Sequence, residues 1–191
     1  MDYSGVAYLF QGSASGLVTV AATTLAGESG GDYFGYAVSK AGDVNHDGYD
    51  DVVVGAFGVN SRAGRAYVYQ GSASGLASTT ALTLSGETVG DGLGGSVSAA
   101  GDVNGDGYDD VLIGAPYASS YTGRVYLYEG SATGLSTAPG ATVFGEATRN
   151  YFGVRLSGAG DVNHDGYDDI LIGANGYGDP DPLSWTGELW S

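Results

Sequence analysis

Ala41-Gly42-Asp43-Val44-Asn45-His46-Asp47-Gly48-Tyr49-Asp50-Asp51 returns at residues 100–110, with Gly105 in place of His46, and again unchanged at residues 159–169. The three starts at Asp43, Asp102 and Asp161 are 59 residues apart each time, and a fixed period of that size marks a repeat architecture. Upstream of each copy stand Tyr33-Phe34-Gly35, Gly92-Leu93-Gly94 and Tyr151-Phe152-Gly153; downstream stand Gly55-Ala56-Phe57, Gly114-Ala115-Pro116 and Gly173-Ala174-Asn175. One grammar therefore governs the chain.

Between these markers the apolar runs are short, rich in Val, Ile and Tyr, and broken by glycine, which is the pattern of strands. In the first complete unit four strands are expected at about residues 36–41, 51–55, 65–70 and 81–84. The second run, Val52-Val53-Val54 or Val111-Leu112-Ile113 or Ile170-Leu171-Ile172, is apolar on both faces and belongs deep in a stack of sheets. The third, as in Val125-Tyr126-Leu127-Tyr128, alternates and is expected to carry tyrosines on one face. Four antiparallel strands repeated at this interval give an all-β fold of β-propeller blades, about three per chain. The divisions are a half blade at 1–31, blades at 32–90 and 91–149, and a half blade with part of a further strand at 150–191.

Three blades are fewer than the four or more of a closed propeller, so the open sheets need cover. Two arrangements supply it: a homodimer forming a six-bladed ring, in which each N-terminal half completes the other chain's C-terminal half, or membership of a longer propeller. The homodimer is the favoured arrangement, while the short run 186–190, which would compete with residues 4–11 for one strand position, supports the longer propeller.

Asp43, Asn45 and Asp47 set oxygen side chains at alternate positions, Gly48 permits a sharp turn, Tyr49 offers its carbonyl and Asp51 returns as a carboxylate. That order resembles an EF-hand loop closed at the ninth position by Asp, and its oxygen donors suit Ca2+ better than Mg2+. Asp102, Asn104, Asp106, Tyr108 and Asp110 repeat the set, as do Asp161, Asn163, Asp165, Tyr167 and Asp169, giving three calcium sites per chain. The loops hold 12 of the 22 acidic residues, and three calcium ions would bring the formal charge from −16 to −10. His46 and His164 are read as solvent-facing fillers, because Gly105 takes their place in the second unit. Asp50, Asp109 and Asp168 are assigned to the outer surroundings of the loops or to solvent.

Composition narrows the function further. Hydrophobic residues at 42% exclude a disordered chain, and the 36 glycines signal tight turns. A net charge of −16 makes nucleic acid a poor partner, zero cysteines exclude disulfides and thiolate zinc, and no apolar run suggests membrane insertion. No serine elbow or paired carboxylates outside the loops suggest catalysis, so the chain reads as a non-enzyme.

The Phe34-Gly35 and Gly55-Ala56-Phe57 bracket around the loop Asp43–51, with its counterparts, resembles the FG-GAP repeat of integrin alpha-subunit propellers and bacterial relatives. Leu93 replaces the Phe in the second unit, and the Pro of Gly-Ala-Pro survives only as Pro116. The resemblance implies a seven-bladed extracellular or cell-surface ring with calcium on one face, a targeting segment outside this sequence, and ligands on loops of the opposite face. Among those loops, residues 175–186 are longest and carry Tyr177, Asp179, Asp181 and Trp185 as candidate ligand residues. A calcium-binding adhesion module for a protein or glycan ligand is the favoured function. A self-assembling structural fragment, natural or designed, and an accessory domain of a secreted enzyme are the alternatives.

Overall fold

A computed structural model describes residues 2–177. The order of elements begins with β1 (Val6–Leu9), a small hairpin β2 (Gly12–Ser13) and β3 (Gly16–Leu17), and β4 (Thr23–Ala26). The next unit holds β5 (Ala37–Gly42), β6 (Asp51–Ala56), β7 (Arg65–Tyr69) and β8 (Leu82–Ser85). It is followed by β9 (Ser96–Gly101), β10 (Asp110–Ala115), β11 (Arg124–Tyr128) and β12 (Ala141–Phe144), then β13 (Phe152–Gly160) and β14 (Asp169–Ala174). The sequence-based strands are recovered with boundaries shifted by about one residue.

Two four-stranded antiparallel sheets, β5-β6-β7-β8 and β9-β10-β11-β12, are whole blades. They are flanked by half blades: β1–β4 supplies the third and fourth strands of one, and β13–β14 the first and second of another. This is an arc of a propeller. The cores lie between blades. From β6, Val53 enters the cluster shared with the second blade while Val54 enters the one shared with the N-terminal half blade. From β10, Val111 and Ile113 face back and Leu112 faces forward to Leu156, Ile170 and Ile172. Alternate side chains thus fill different cores, which is why the second strand is apolar at every position. The third strand is covered likewise: Tyr67, Val68 and Tyr69 are all buried, so the tyrosines mark one of two packed faces.

Neighbouring blades touch through backbone at parallel bridges from Gly5 to Phe34, Gly64 to Leu93 and Gly123 to Phe152. Gly64 and Gly123 have φ of 86° and 88°, and a Cβ on either would strike the carbonyl oxygen of Leu93 or Phe152. Gly123→Ala is therefore expected to cost about 3 kcal/mol or more, since left-handed strain and collision add, whereas Gly166→Ala, at φ 93° with open space, should cost only about 1–2 kcal/mol. Chemical denaturation of the two variants measures the difference.

Candidate functional site

The loop between the first and second strands of each blade begins at a β-bulge, with register shifts at Lys40/Gly42, Asp110/Val111 and Gly158/Gly160. Past the bulge, the loop's own N–H groups aim its acidic side chains. The Asp43 carboxylate accepts from Asp47 N–H at 2.9 Å and Gly48 N–H at 2.8 Å, and Asp47 Oδ1 accepts from Tyr49 N–H at 3.0 Å. Asn45 Oδ1 accepts from Asp47 N–H at 3.1 Å while its amide donates to Asp47 Oδ2 at 3.0 Å. Asp102, Asn104 and Asp106 repeat this pattern, as do Asp161, Asn163 and Asp165.

The closing carboxylates are sealed in. Asp51 and Asp110 are fully buried; Asp51 accepts from Val44 N–H at 3.3 Å and Gly71 N–H at 2.9 Å, and Asp110 from Val103 N–H at 3.1 Å and Gly130 N–H at 2.9 Å. Burial raises the pKa of both against the pull of these donors, that of Asp110 to about 6. Each of their oxygens keeps a second lone-pair site. Asp169 accepts from Val162 N–H at 3.0 Å and is only partly buried.

Among the described residues, no three His, Cys, Asp or Glu side chains converge closely enough to hold a metal by themselves. The donor set on offer is mixed: carboxylates at the first, fifth and ninth loop positions, an amide at the third and a tyrosine carbonyl at the seventh. All are hard oxygens on turns already bent by internal hydrogen bonds, and at Asp51 and Asp110 burial penalises uncompensated charge. That chemistry fits a calcium ion.

Two positions have a different role from the one their sequence suggests. Asp109 Oδ2 accepts from the N–H of Asp43, 66 residues earlier, at 2.8 Å, and Asp168 Oδ2 accepts from the N–H of Asp102 at 3.0 Å. Each carboxylate ties its loop to the loop of the preceding blade. The backbone reinforces the tie, with Asp109 N–H on the Asp43 carbonyl at 3.3 Å and Asp168 N–H on the Asp102 carbonyl at 3.0 Å. Gly42 and Gly101 are glycines because a Cβ there would strike those carboxylates. His46 and His164 are exposed with φ of 57° and 59°, and Gly105 has 75°, so the shared demand at this place is a left-handed backbone.

The opposite end of the arc carries a feature that the sequence reading missed. Tyr3 stacks on Tyr33 with centroids 5.3 Å apart, Tyr33 on Phe57 at 5.0 Å, and Tyr36 meets Phe57 at 4.4 Å. The chain of rings continues from Phe57 to Tyr117, Tyr117 to Tyr121 and Tyr121 to Tyr151, at 6.1, 6.1 and 5.4 Å. These residues come from the second-to-third-strand loops and the blade connections, and Tyr36 and Tyr121 remain exposed. Beside them, Val59–Arg62 and Ala118–Tyr121 form single turns in which Asn60, Ser61 and Arg62, and then Ser119, Ser120 and Tyr121, are left-handed. Such runs without glycine are strained, and strain of this kind concentrates at binding sites. The only available signal was the recurrence of aromatic residues beside the glycine markers. Of the candidate ligand residues, Tyr177 is exposed, and Asp179, Asp181, Trp185 and the run 186–190 lie outside the described residues.

The FG-GAP repeat pattern matches residues 34–69, 93–128 and 152–190, more than half of the chain. The chain belongs to the FG-GAP repeat family. It is 38% identical over 165 residues to integrin alpha-8 of Mus musculus, covering 80% of this chain and 15% of that protein. Integrin alpha-6 of Gallus gallus is 37% identical over 153 residues, covering 78% and 14%, and integrin alpha-7 of Rattus norvegicus is 36% identical over 175 residues, covering 88% and 15%. The chain thus spans about 15% of the length of these relatives. FG-GAP repeats are propeller blades, and the sheets seen here are such blades. No helix among the described residues is long and apolar enough to cross a membrane.

Replacing Asp110 with Ala would leave the N–H groups of Val103 and Gly130 without an acceptor and should destabilise the metal-free protein by about 2–4 kcal/mol. Asp109→Ala, which removes one tie between blades, should cost about 1–2 kcal/mol. Urea unfolding in the presence of a chelator checks both values.

Proposed function

We propose that the chain is a non-catalytic, calcium-binding propeller module of an extracellular or cell-surface protein, acting in adhesion. In this reading three calcium ions fix the blade loops at one end, and the aromatic face at the other end contacts a protein ligand. The observation that carries it is the threefold recurrence of one hydrogen-bonded oxygen loop inside FG-GAP brackets. Kinship with integrin alpha subunits supports the adhesive role and the exterior location.

Asp43, Asn45, Asp47, the Tyr49 carbonyl and Asp51 would hold the first ion, and their counterparts the second and third. A bound ion offsets the burial penalty on Asp51 and Asp110 and the repulsion they receive from Asp43, Asp47, Asp102 and Asp106. The aromatic ribbon suits a protein surface, because tyrosines offer broad contact area and a polar tip at low entropic cost.

Calorimetric titration should count three calcium ions per chain, and Asp43→Ala, Asp102→Ala and Asp161→Ala should each remove one. Saturating calcium should raise the melting temperature by at least about 5 °C over a chelated sample, given about 2.7 kcal/mol per ion at a hundredfold excess over Kd. Identical melting curves in the two conditions would rule the reading out. For the ligand face, Tyr36→Ser with Tyr121→Ser should abolish binding on a panel of immobilised matrix proteins without altering calcium stoichiometry. Loss of binding on a glycan array instead would assign the face to carbohydrate.

A further inference from the structure

The second unit departs from its neighbours at one buried place. Phe34 and Phe152 open the bracket of the first and third units, and Leu93 stands there in the second. At the joint between the N-terminal half blade and the first whole blade, the Phe34 ring meets Tyr67 edge-on at 5.4 Å and Tyr69 at 6.4 Å, and both tyrosines are buried. Their counterparts at the joint between the two whole blades are Tyr126 and Tyr128, and Leu93 has no ring to offer them. Those tyrosines meet each other at 6.4 Å, and a cavity of about 400 Å³ lies beside Leu93. That volume is within the range of roughly 300–1,000 Å³ usual for small-molecule sites.

The walls of the cavity divide by chemistry. Leu84, Leu93, Tyr126, Tyr128 and Phe144 make one side apolar and largely aromatic, and Arg124 adds a guanidinium to it. Register sets Phe144 opposite Arg124, where the first whole blade has Ser85 opposite Arg65. The Arg124 guanidinium lies 5.1 Å from the Phe144 centroid and 5.9 Å from that of Tyr126, whose hydroxyl accepts from Nη1 at 3.0 Å. These contacts fix its orientation.

The preceding joint shows what a guanidinium at this place takes. Arg65 holds the Glu28 carboxylate at 3.1 Å. Glu87, the counterpart of Glu28, lines the cavity, yet Arg124 forms no ion pair among the described residues. In both arginines Nε is buried without a hydrogen-bond partner, so Arg124 differs in having no carboxylate on its outer nitrogens.

We propose that this cavity binds a small aryl carboxylate, its ring filling the place that Phe34 takes one joint earlier and its carboxylate meeting Arg124 as Glu28 meets Arg65. A planar carboxylate matches the guanidinium fork, and the tyrosine and phenylalanine walls suit an aromatic body in edge-on or offset contact. All the walls come from residues 83–144, inside the two whole blades and the connections that follow them.

The probe is 3-phenylpropionate, titrated into the calcium-loaded chain and followed by the ring resonances of Tyr126 and Phe144. One molecule should bind per chain with a dissociation constant on the order of 0.1–1 mM, as expected of so small a ligand, and uncharged 3-phenylpropanamide should bind at least about tenfold more weakly. Leu93→Phe, which restores the residue of the other two units, and Arg124→Gln should each weaken binding at least about tenfold with unchanged circular dichroism. Glu87→Gln removes a rival for the guanidinium and should tighten it. Competition by a peptide ending in a free Phe carboxylate would assign the acid to a chain terminus, and failure to compete would assign it to a free small molecule. No saturable binding by the parent chain, or binding that either folded variant, Leu93→Phe or Arg124→Gln, retains in full, overturns the proposal.

Discussion

No blade in this chain can bury itself. Each sheet is apolar on both sides, and it becomes a core only when a neighbour lies against each face, as the forward and backward partition of Val53 and Val54 or of Leu112 and Ile113 makes plain. Stability is therefore a property of joints between repeats. Among the described residues, Val38, Leu171 and Val162 are exposed where their repeat counterparts Val97, Leu112 and Val44, each against a neighbouring blade, are buried.

The acidic loops belong to the same logic. Asp51 and Asp110 brace their own blades by joining the first-strand exit to the end of the third strand, and Asp109 and Asp168 brace adjacent blades through the loops of their predecessors. Adjacent aspartates at the end of one motif thus point in two directions, one within a sheet and one between sheets. A cation held by the loop would sit beside both braces, with the carboxylate of Asp51 or Asp110 on the ion and that of the adjacent Asp109 or Asp168 on the neighbouring blade.

Most of the blade architecture could be read from the chain, because propeller packing is written into a fixed period, and glycine, aspartate and β-branched positions carry it locally. What escaped the reading depends on neighbours distant in sequence. The acceptor role of Asp109 is set by a residue 66 positions away, and nothing beside it announces the partner. The tyrosines of the third strand look amphipathic in isolation and are covered on both sides only because two blades enclose them. The aromatic ribbon draws Tyr3, Tyr33, Phe57, Tyr117 and Tyr151 from successive units, and although Tyr33 and Tyr151 recur at the repeat spacing, only the assembled arc brings the rings into contact. The donor residues of the loops were legible by type and order, while their orientation rests on N–H groups whose direction the bulges determine.

The parallel bridges at Gly5, Gly64 and Gly123 join main chain to main chain, and a glycine on one side leaves no room there for side-chain identity to matter. Such a seam is blind to sequence. A copied unit can be spliced in at that point and meet its neighbours without any new complementarity having to arise, which accounts physically for how near-identical cassettes such as Gln11-Gly12-Ser13-Ala14-Ser15-Gly16-Leu17 and Gln70-Gly71-Ser72-Ala73-Ser74-Gly75-Leu76 can coexist in one molecule.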